Sequence, residues 1–328
     1  MTFRPGVAIV GCGRVGGKRA AALGDARLVA CADVDAGRAR SLGAAAWSTD
    51  WRQVIARDDV EIVIVSTINN MLTEISISAL DAGKHVLVEK PAALNVAQLD
   101  RVIDAQRRSG KFVRVGFNHR YHPAMREAKE LVDAGTLGEL MFVRGRYGHG
   151  GRLGYEREWR ADPRLSGGGE LIDQGVHLID LARLFLGDFT GVDGRAATYF
   201  WDMPVDDNAF LLLRTAAGRT AFLHVSCTEW KNLFSLEIYG RAGKLHAEGL
   251  GGSYGVEKLT HYRMLPEMGP PETRTWEFPG ADESWRAEMD EFIHDIRLGR
   301  PPAAGLADAR AVLGIVEKIY EKSADDVA

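Results

Sequence analysis

From its sixth residue the chain alternates short apolar runs with stretches of helical periodicity. GVAIVG, LVACAD, EIVIVST, HVLVEK and KFVRVGF each read as a strand. Between them lie a loop entering a helix (GRVGGKRAAAL), a helix AGRARSL capped by Asp35, and an amphipathic helix MLTEISISALDAG ended by Gly83. VAQLDRVIDAQRRSG is a further helix. Strands and helices in alternation, with short connections, predict a parallel sheet covered on both faces and right-handed crossovers. After KFVRVGFNHRYHP the rhythm changes: PAMREAKELVDAG is a helix and GELMFVRGRYGHG a strand. Strands then follow one another: VDGRAATYFW, DDNAFLLLRT, GRTAFLHVSC, LFSLEIYG and GKLHAEG, with hairpin turns at TAAGRT and YGRAGK. This is a meander, hence a mostly antiparallel sheet, with one face on helices that include residues 170–186. ESWRAEMDEFIHDIRLG and LADARAVLGIVEKIYEKS close the chain as amphipathic helices. The expected architecture is α/β: a doubly wound parallel sheet over residues 1–121, then an α+β domain with a large open sheet over residues 122–328.

Composition narrows the function classes. A chain of 328 residues suits two domains, and 46% apolar with 26% charged residues is ordinary for a globular protein. Disorder is expected only in the closing SADDVA. A net charge of −4 creates no field for nucleic acid or an anionic membrane. No apolar run reaches the ~18–20 residues of a membrane span, and the opening MTFRPGVAIVGCG enters a strand rather than a signal peptide. Cys12, Cys31 and Cys227 are scattered, without metal-ligand spacing, as in a cytoplasmic protein with reduced thiols. No internal repeat is present.

GCGRVG places Gly11, Gly13 and Gly16 between a predicted strand and a predicted helix, the context that makes a glycine pattern a dinucleotide fingerprint. The first glycine allows the tight turn, the second lets a pyrophosphate approach the backbone, and the third lets helix and strand pack. The helix N-terminus then supplies N–H groups and a favourable dipole for the phosphates. Asp33 ends the second strand, where an acid bonds ribose hydroxyls and repels a 2′-phosphate, so NAD is expected rather than NADP. Arg38 stands five residues on.

The second concentration of chemistry is LSGGGELIDQGVHLID. On a helix Asp173, His177, Asp180 and Leu184 share one stripe, while Leu171, Ile172, Val176, Ile179 and Phe185 take the other faces. Gly175, at about 1 kcal/mol in a helix interior, implies close approach of another group to the backbone.

Four segments in order, GCGRVGGKRA, STINN, VLVEKPAA and GGGELIDQGVHLID, resemble the glucose–fructose oxidoreductase / inositol dehydrogenase / MocA family over almost the whole chain. The resemblance implies a nicotinamide-dependent sugar or polyol oxidoreductase. It implies a catalytic set of Lys90, Asp173 and His177, and a cis Lys90–Pro91 bond. It places the cofactor on Gly11, Gly13, Arg14, Val15, Gly16, Asp33, Ser66, Thr67, Asn69, Glu89 and Lys90. One departure stands out: the loop usually written TPN-x-x-H reads STINNML, with Ile68 and Leu72 in place of the proline and histidine. The implied mechanism has His177 taking the hydroxyl proton, Asp173 orienting its ring and Lys90 stabilising alkoxide charge, with the roles of His177 and Lys90 exchangeable. Asp180 is expected to be structural. The free sheet face, with Phe222, Ser226, Tyr239, His224 and Glu237, is expected to join copies into a homodimer or homotetramer.

For the substrate, RGRYGHGGRLGYEREWR interleaves Arg144, Arg146, Arg152, Arg157 and Arg160 with Tyr147, Tyr155 and Trp159. Arginines clamp phosphates and aromatics stack on bases or sugars. The expectation is a nucleotide-linked aminosugar or uronic acid, bound by Asn118, Arg152, Tyr155, Trp159 and Arg160. Inositol or another free polyol is the alternative. A glycosidase using NAD transiently and a non-catalytic NAD-binding regulator are the readings from other classes. Neither a metal nor nucleic acid is expected to take part.

Overall fold

The computed structural model describes residues 4–325. Contacts divide the chain into two units. The first comprises residues up to 118, residues 164–167 and residues 285–313. Its strands are β1 (Gly6–Val10), β2 (Arg27–Ala32), β3 (Ala46–Ser48), β4 (Ile62–Val65), β5 (His85–Glu89) and β6 (Val113–Gly116). Its helices are α1 (Arg14–Ala21), α2 (Ala36–Ser41), α3 (Trp51–Ile55), α4 (Asn69–Asp81) and α5 (Val96–Ser109). The six strands lie in the order β3-β2-β1-β4-β5-β6, all parallel. This is the expected doubly wound sheet with one strand more. β3 and α3 escaped sequence reading because AWS is only three residues and α3 five, too short for a period to register. Asp35 caps α2 by accepting from Gly37 N at 2.7 Å and Arg38 N at 3.0 Å. Gly83 follows α4 with φ 73°, as a helix-ending glycine does.

The second unit comprises residues 119–163, 168–284 and 314 onward. Here α6 (Pro123–Asp133) precedes β7 (Leu140–Gly148). The short α7 (Pro163–Ser166), whose residues 164–166 belong to the first unit, follows in the chain, and then α8 (Val176–Leu186). β8 (Phe189–Ala197), β9 (Asn208–Thr215), β10 (Thr220–Ser226), β11 (Leu233–Gly240) and β12 (Gly243–Glu248) form the meander, extended by β13 (Glu257–Arg263) and β14 (Glu272–Phe278). The sheet order is β14-β13-β12-β11-β7-β10-β9-β8, antiparallel except for the β7–β10 pair. Sequence reading missed β13 and β14: β14 is largely exposed and β13 mostly polar though largely buried or half-buried, so neither alternation nor an apolar run marks them. The first meander strand also ends earlier than expected, at Ala197, because residues 199–201 donate their backbone N–H groups to Asp207 instead of to a ladder. α9 (Ser284–Leu298) and α10 (Leu306–Asp325) complete the chain. α10 takes in residues 323–325, where disorder was expected; the rest of that expectation falls on residues 326–328, outside those described.

β9 shows why the second sheet has two distinct faces. Ala209, Leu211 and Leu213 are buried, while Phe210, Leu212 and Arg214 point outward. α8 lies on the inner face, over β7 and β10. Gly145 of β7 makes that approach feasible: a Cβ there would stand 3.1–3.2 Å from Leu223, Leu178 and Leu236.

In the first unit the packing hinges on one buried cation. Arg19 of α1 is 1% exposed. Its Nε donates to Glu89 Oε1 at 2.7 Å, Nη1 meets Glu288 Oε2 of α9 at 2.5 Å, and its guanidinium lies 4.4 Å from the Trp285 ring. Burial pushes the Glu288 carboxyl up against the pull of Arg19. Arg19 thereby ties the helix after the glycine loop to the end of β5 and to α9, whose Met289 and Phe292 enter the core with Ile9, Ile62 and Leu87. Removing one partner of a buried ionic cluster leaves uncompensated charge. Arg19→Leu is therefore expected to lower unfolding free energy by about 3–5 kcal/mol, read as a fall in the urea midpoint. Loss of the exposed Arg241–Glu139 pair is expected to shift that midpoint little.

Candidate active site

The first unit presents the features of a dinucleotide cradle. Gly11 turns with φ 94°, and a Cβ on it would sit 2.5 Å from Ser66 O. A Cβ on Gly16 would sit 2.1 Å from Gly11 O, so only glycine lets α1 pack on this loop. Gly13 differs, with nothing within 4 Å of its Cβ position. The backbone there is open at the N-terminus of α1, which suits a pyrophosphate. Arg14 is exposed and Val15 half-buried on the first turn of α1. Ser66 Oγ donates to Gly11 O at 2.8 Å, joining the β4 loop to the glycine turn, with Thr67 half-buried beside it.

Asp33, at the end of β2, is held from both sides. Its Oδ2 accepts from Cys12 N at 2.8 Å, and its Oδ1 accepts from Arg38 Nε at 3.1 Å and Asp35 N at 2.9 Å. The carboxylate is thus fixed beside the glycine loop, and Arg38 is half-exposed next to it. Asn69 is buried, and its Nδ2 donates to Ser166 O at 2.9 Å. Glu89 is buried in the Arg19 cluster. Lys90 follows it across a cis bond to Pro91, as expected. Asn118 is buried just beyond β6.

In the second unit the expected helix over 170–186 is two pieces: a π-helical turn, Leu171–Gly175, and α8. The glycines before it make room for its anchor. A Cβ on Gly169 would stand 1.9 Å from Asp206 O, and one on Gly168 would stand 2.2 Å from the Tyr320 hydroxyl. Asp206 accepts from Gly169 N at 2.9 Å, Leu171 N at 2.8 Å and the Tyr320 hydroxyl at 2.8 Å, filling the N–H groups at the start of this segment. A Cβ on Gly175 would stand 3.4 Å from Val225 of β10, an ordinary contact, and 3.0 Å from Leu171 of its own segment, so no other element requires the glycine by close approach.

The ionisable residues of this segment are all buried, and each meets a group from another element. Asp173 Oδ2 accepts from Arg160 Nε at 3.0 Å. The His177 ring stacks on His119 with centroids 3.8 Å apart and meets Tyr147 edge-on at 6.3 Å. Asp180 is held by Arg120, Nε at 2.7 Å and Nη2 at 2.5 Å, consistent with a structural acid. Glu170, three residues before Asp173, lies 3.5 Å from His149 Nε2. Burial pushes its carboxyl up. Sequence reading passed over Glu170, His119 and His149 as site residues, and named Tyr147 only among the aromatics of the substrate segment. Glu170 carried a detectable signal, an acid in an apolar run close before Asp173. The others arrive from β7 and the segment after β6, which no local pattern links to α8.

The arginine-rich segment divides. Along β7, Gly145 and Tyr147 face α8 while Arg144 and Arg146 point to the opposite face of the sheet. There Arg144 pairs with Glu237, and Arg146 with Glu229 at 3.1 Å. Arg152 pairs with Glu158 at 2.6 Å and Arg157 with Glu156 at 3.7 Å. Arg160 pairs with Asp173 and lies 4.6 Å from the Trp159 ring. Tyr155 is buried against His149 and Trp201, with ring centroids 5.6 and 5.7 Å away. Among the described residues no group of His, Cys, Asp and Glu is arranged to hold a metal ion.

Comparison with known proteins identifies the family and the fold. Residues 6–117 match the model of the oxidoreductase family with an NAD-binding Rossmann fold, and residues 125–246 match the GFO/IDH/MocA C-terminal domain. Levoglucosan dehydrogenase of Pseudarthrobacter phenanthrenivorans is 31% identical over 88% of this chain and 84% of its own length. Myo-inositol 2-dehydrogenase of Thermotoga maritima is 26% identical over 94% and 92%. The solved structure of levoglucosan dehydrogenase in complex with NADH and levoglucosan shares the fold, with TM-score 0.90 at 24% identity over 98% of both chains.

The pinned carboxylate of Asp33 generates a cofactor prediction. Asp33→Ser removes the acceptor for ribose hydroxyls and releases Arg38. The ratio of kcat/KM for NAD to that for NADP is expected to fall by about tenfold or more, as for loss of a charged hydrogen bond. An unchanged ratio would assign cofactor choice elsewhere.

Proposed function

We propose that this chain, which belongs to the GFO/IDH/MocA family of NAD-binding oxidoreductases, oxidises a ring hydroxyl of an unphosphorylated cyclic sugar or polyol. The observation that carries the choice of substrate is the state of the five arginines expected to clamp a diphosphate. Four of them pair with a carboxylate of their own unit at 3.1 Å or less, Arg157 comes only within 3.7 Å of Glu156, and two of the five lie on the face of the sheet away from His177. A diphosphate would have to displace those carboxylates. A neutral polyol needs hydroxyl partners instead, which the acids, histidines and tyrosines around Asp173 supply. The names of the two relatives, levoglucosan dehydrogenase and myo-inositol 2-dehydrogenase, support the same class.

His177 is assigned the hydroxyl proton. An imidazole titrates near neutral pH and so serves as a general base there. Its ring plane is held by the stack on His119. Arg160 balances the charge of Asp173, so this acid can stand beside an imidazolium without adding a further net charge to the interior. Lys90 is assigned stabilisation of the negative charge that grows on the substrate oxygen. Bound NAD supplies the acceptor for the hydride.

The outward face of the second sheet supports self-association. Phe142, Phe210, Leu212 and Phe222 are each more than a third exposed. They sit among Glu237, Arg144 and Lys244, whose pairing holds the Glu237 carboxyl down to about 2 despite its burial. A face this apolar with its charges already matched suits a second copy of itself.

Three measurements bear on this reading. Mixed with NAD, the protein is expected to raise the 340 nm absorbance with levoglucosan, myo-inositol or another free cyclic polyol. Activity confined to nucleotide-sugars would overturn the substrate class, and product without net NADH would indicate a glycosidase. His177→Ala is expected to lower kcat by roughly 10²–10⁴-fold, the usual worth of a general base. Phe222→Glu is expected to reduce the molar mass seen by light scattering; a wild-type protein already monomeric would remove the association.

A further inference from the structure

We propose that Glu170, backed by His149, recognises a second, non-reacting hydroxyl of the substrate and so decides which sugar or polyol is accepted. The inference rests on the dehydrogenase reading above and deepens it.

Five buried acids lie along this part of the second unit, and four are accounted for; Asp207 accepts from the backbone N–H groups of residues 199–201. Asp206 accepts three hydrogen bonds, Asp180 is gripped by Arg120, and Asp173 by Arg160. Glu170 is different. It is 2% exposed, yet neither carboxyl oxygen accepts a hydrogen bond from any described group. Its polar neighbour is the His149 ring, 3.5 Å away, beyond the range of a good hydrogen bond. Buried polar groups are nearly always paired, and the exceptions gather where a ligand completes them. Being buried does not disqualify Glu170, since His177 is 3% exposed.

His149 is set to support such a contact. Its Nδ1 accepts from Gly151 N at 3.0 Å, which places the ring proton on Nε2, facing Glu170. The ring is braced edge-on by Tyr155. Glu170 and Asp173 act on the same three groups, Tyr147, His149 and Tyr155, so the two acids border one polar region. A hydroxyl is the ligand chemistry that fits. It donates to a carboxylate and accepts from a neutral carboxyl, so it satisfies Glu170 in either form, and it brings no charge into a region that already holds several carboxylates. A phosphate would be repelled by them. A site built around one hydroxyl also rejects an analogue lacking it, because its own buried group is then left unpaired.

Equilibrium titration of the NADH-loaded protein with levoglucosan, myo-inositol, D-glucose and their monodeoxy forms tests this. Wild type is expected to bind at least one parent, with one deoxy form weaker by about tenfold or more. Glu170→Gln, which keeps the shape, is expected to weaken the parent by about tenfold while that deoxy form loses nothing further, because both changes remove one contact. His149→Asn is expected to give the same pattern with a smaller loss. Should Glu170→Gln fail to fold, the His149→Asn cycle decides. The proposal is overturned if Glu170→Gln binds the parent as wild type does, if the losses add for every deoxy form, or if wild type binds none of the three parents. Binding without NADH formation, when NAD replaces NADH, would remove the dehydrogenase reading and leave the recognition site standing.

Discussion

Burying ionisable side chains inside an apolar helix is the constraint on which the second unit is built. Glu170, Asp173, His177 and Asp180 lie on or beside α8 with almost no exposure. Each would be costly there without a partner, because burial without compensation disfavours both polar and charged groups. The chain therefore brings β7, the segment after β6 and the loop of residues 149–163 against this helix, carrying His149, Tyr147, His119, Arg120 and Arg160. Asp206 and Tyr320 hold the entry to the segment, and Gly168 and Gly169 are small enough to let them in. The polar groups do not decorate a preformed core. They dictate which elements must meet.

A similar demand shapes the first unit. Arg19 is buried with Glu89 and Glu288, and through them the helix after the glycine loop, the strand leading to Lys90 and α9 are locked together. The glycine turn divides its labour. Gly11 and Gly16 are closed by neighbouring backbone, and Gly13 is open. Packing and cofactor approach are thus assigned to different residues of one short motif, with Asp33 fixed alongside by Cys12 N and Arg38.

An arginine-rich, aromatic segment read along the chain looks like a phosphate clamp. In the fold, strand alternation sends Arg144 and Arg146 to one face and Tyr147 to the other, and nearby acids neutralise the remaining arginines. Of the five arginines only Arg160 pairs with Asp173, while Tyr147 faces α8. The outward arginines become part of a charge-matched apolar face suited to another copy of the chain.

The sequence by itself determined the alternating first unit, the glycine turn with Asp33 and the meander. All of these rest on spacing within a few residues, where the periods of helix and strand are written directly. It could not show β3, β13 and β14, which are too short or too polar to carry a period. Nor could it show that residues 171–175 form a π-helical turn, whose entry is held by Asp206 from the loop before β9. Tertiary structure alone decided the partners: Arg19 with Glu288, 269 residues apart, Asp180 with Arg120, and His177 with His119. A charge records in the sequence that it needs compensation, but which distant residue compensates it is settled only when the elements pack.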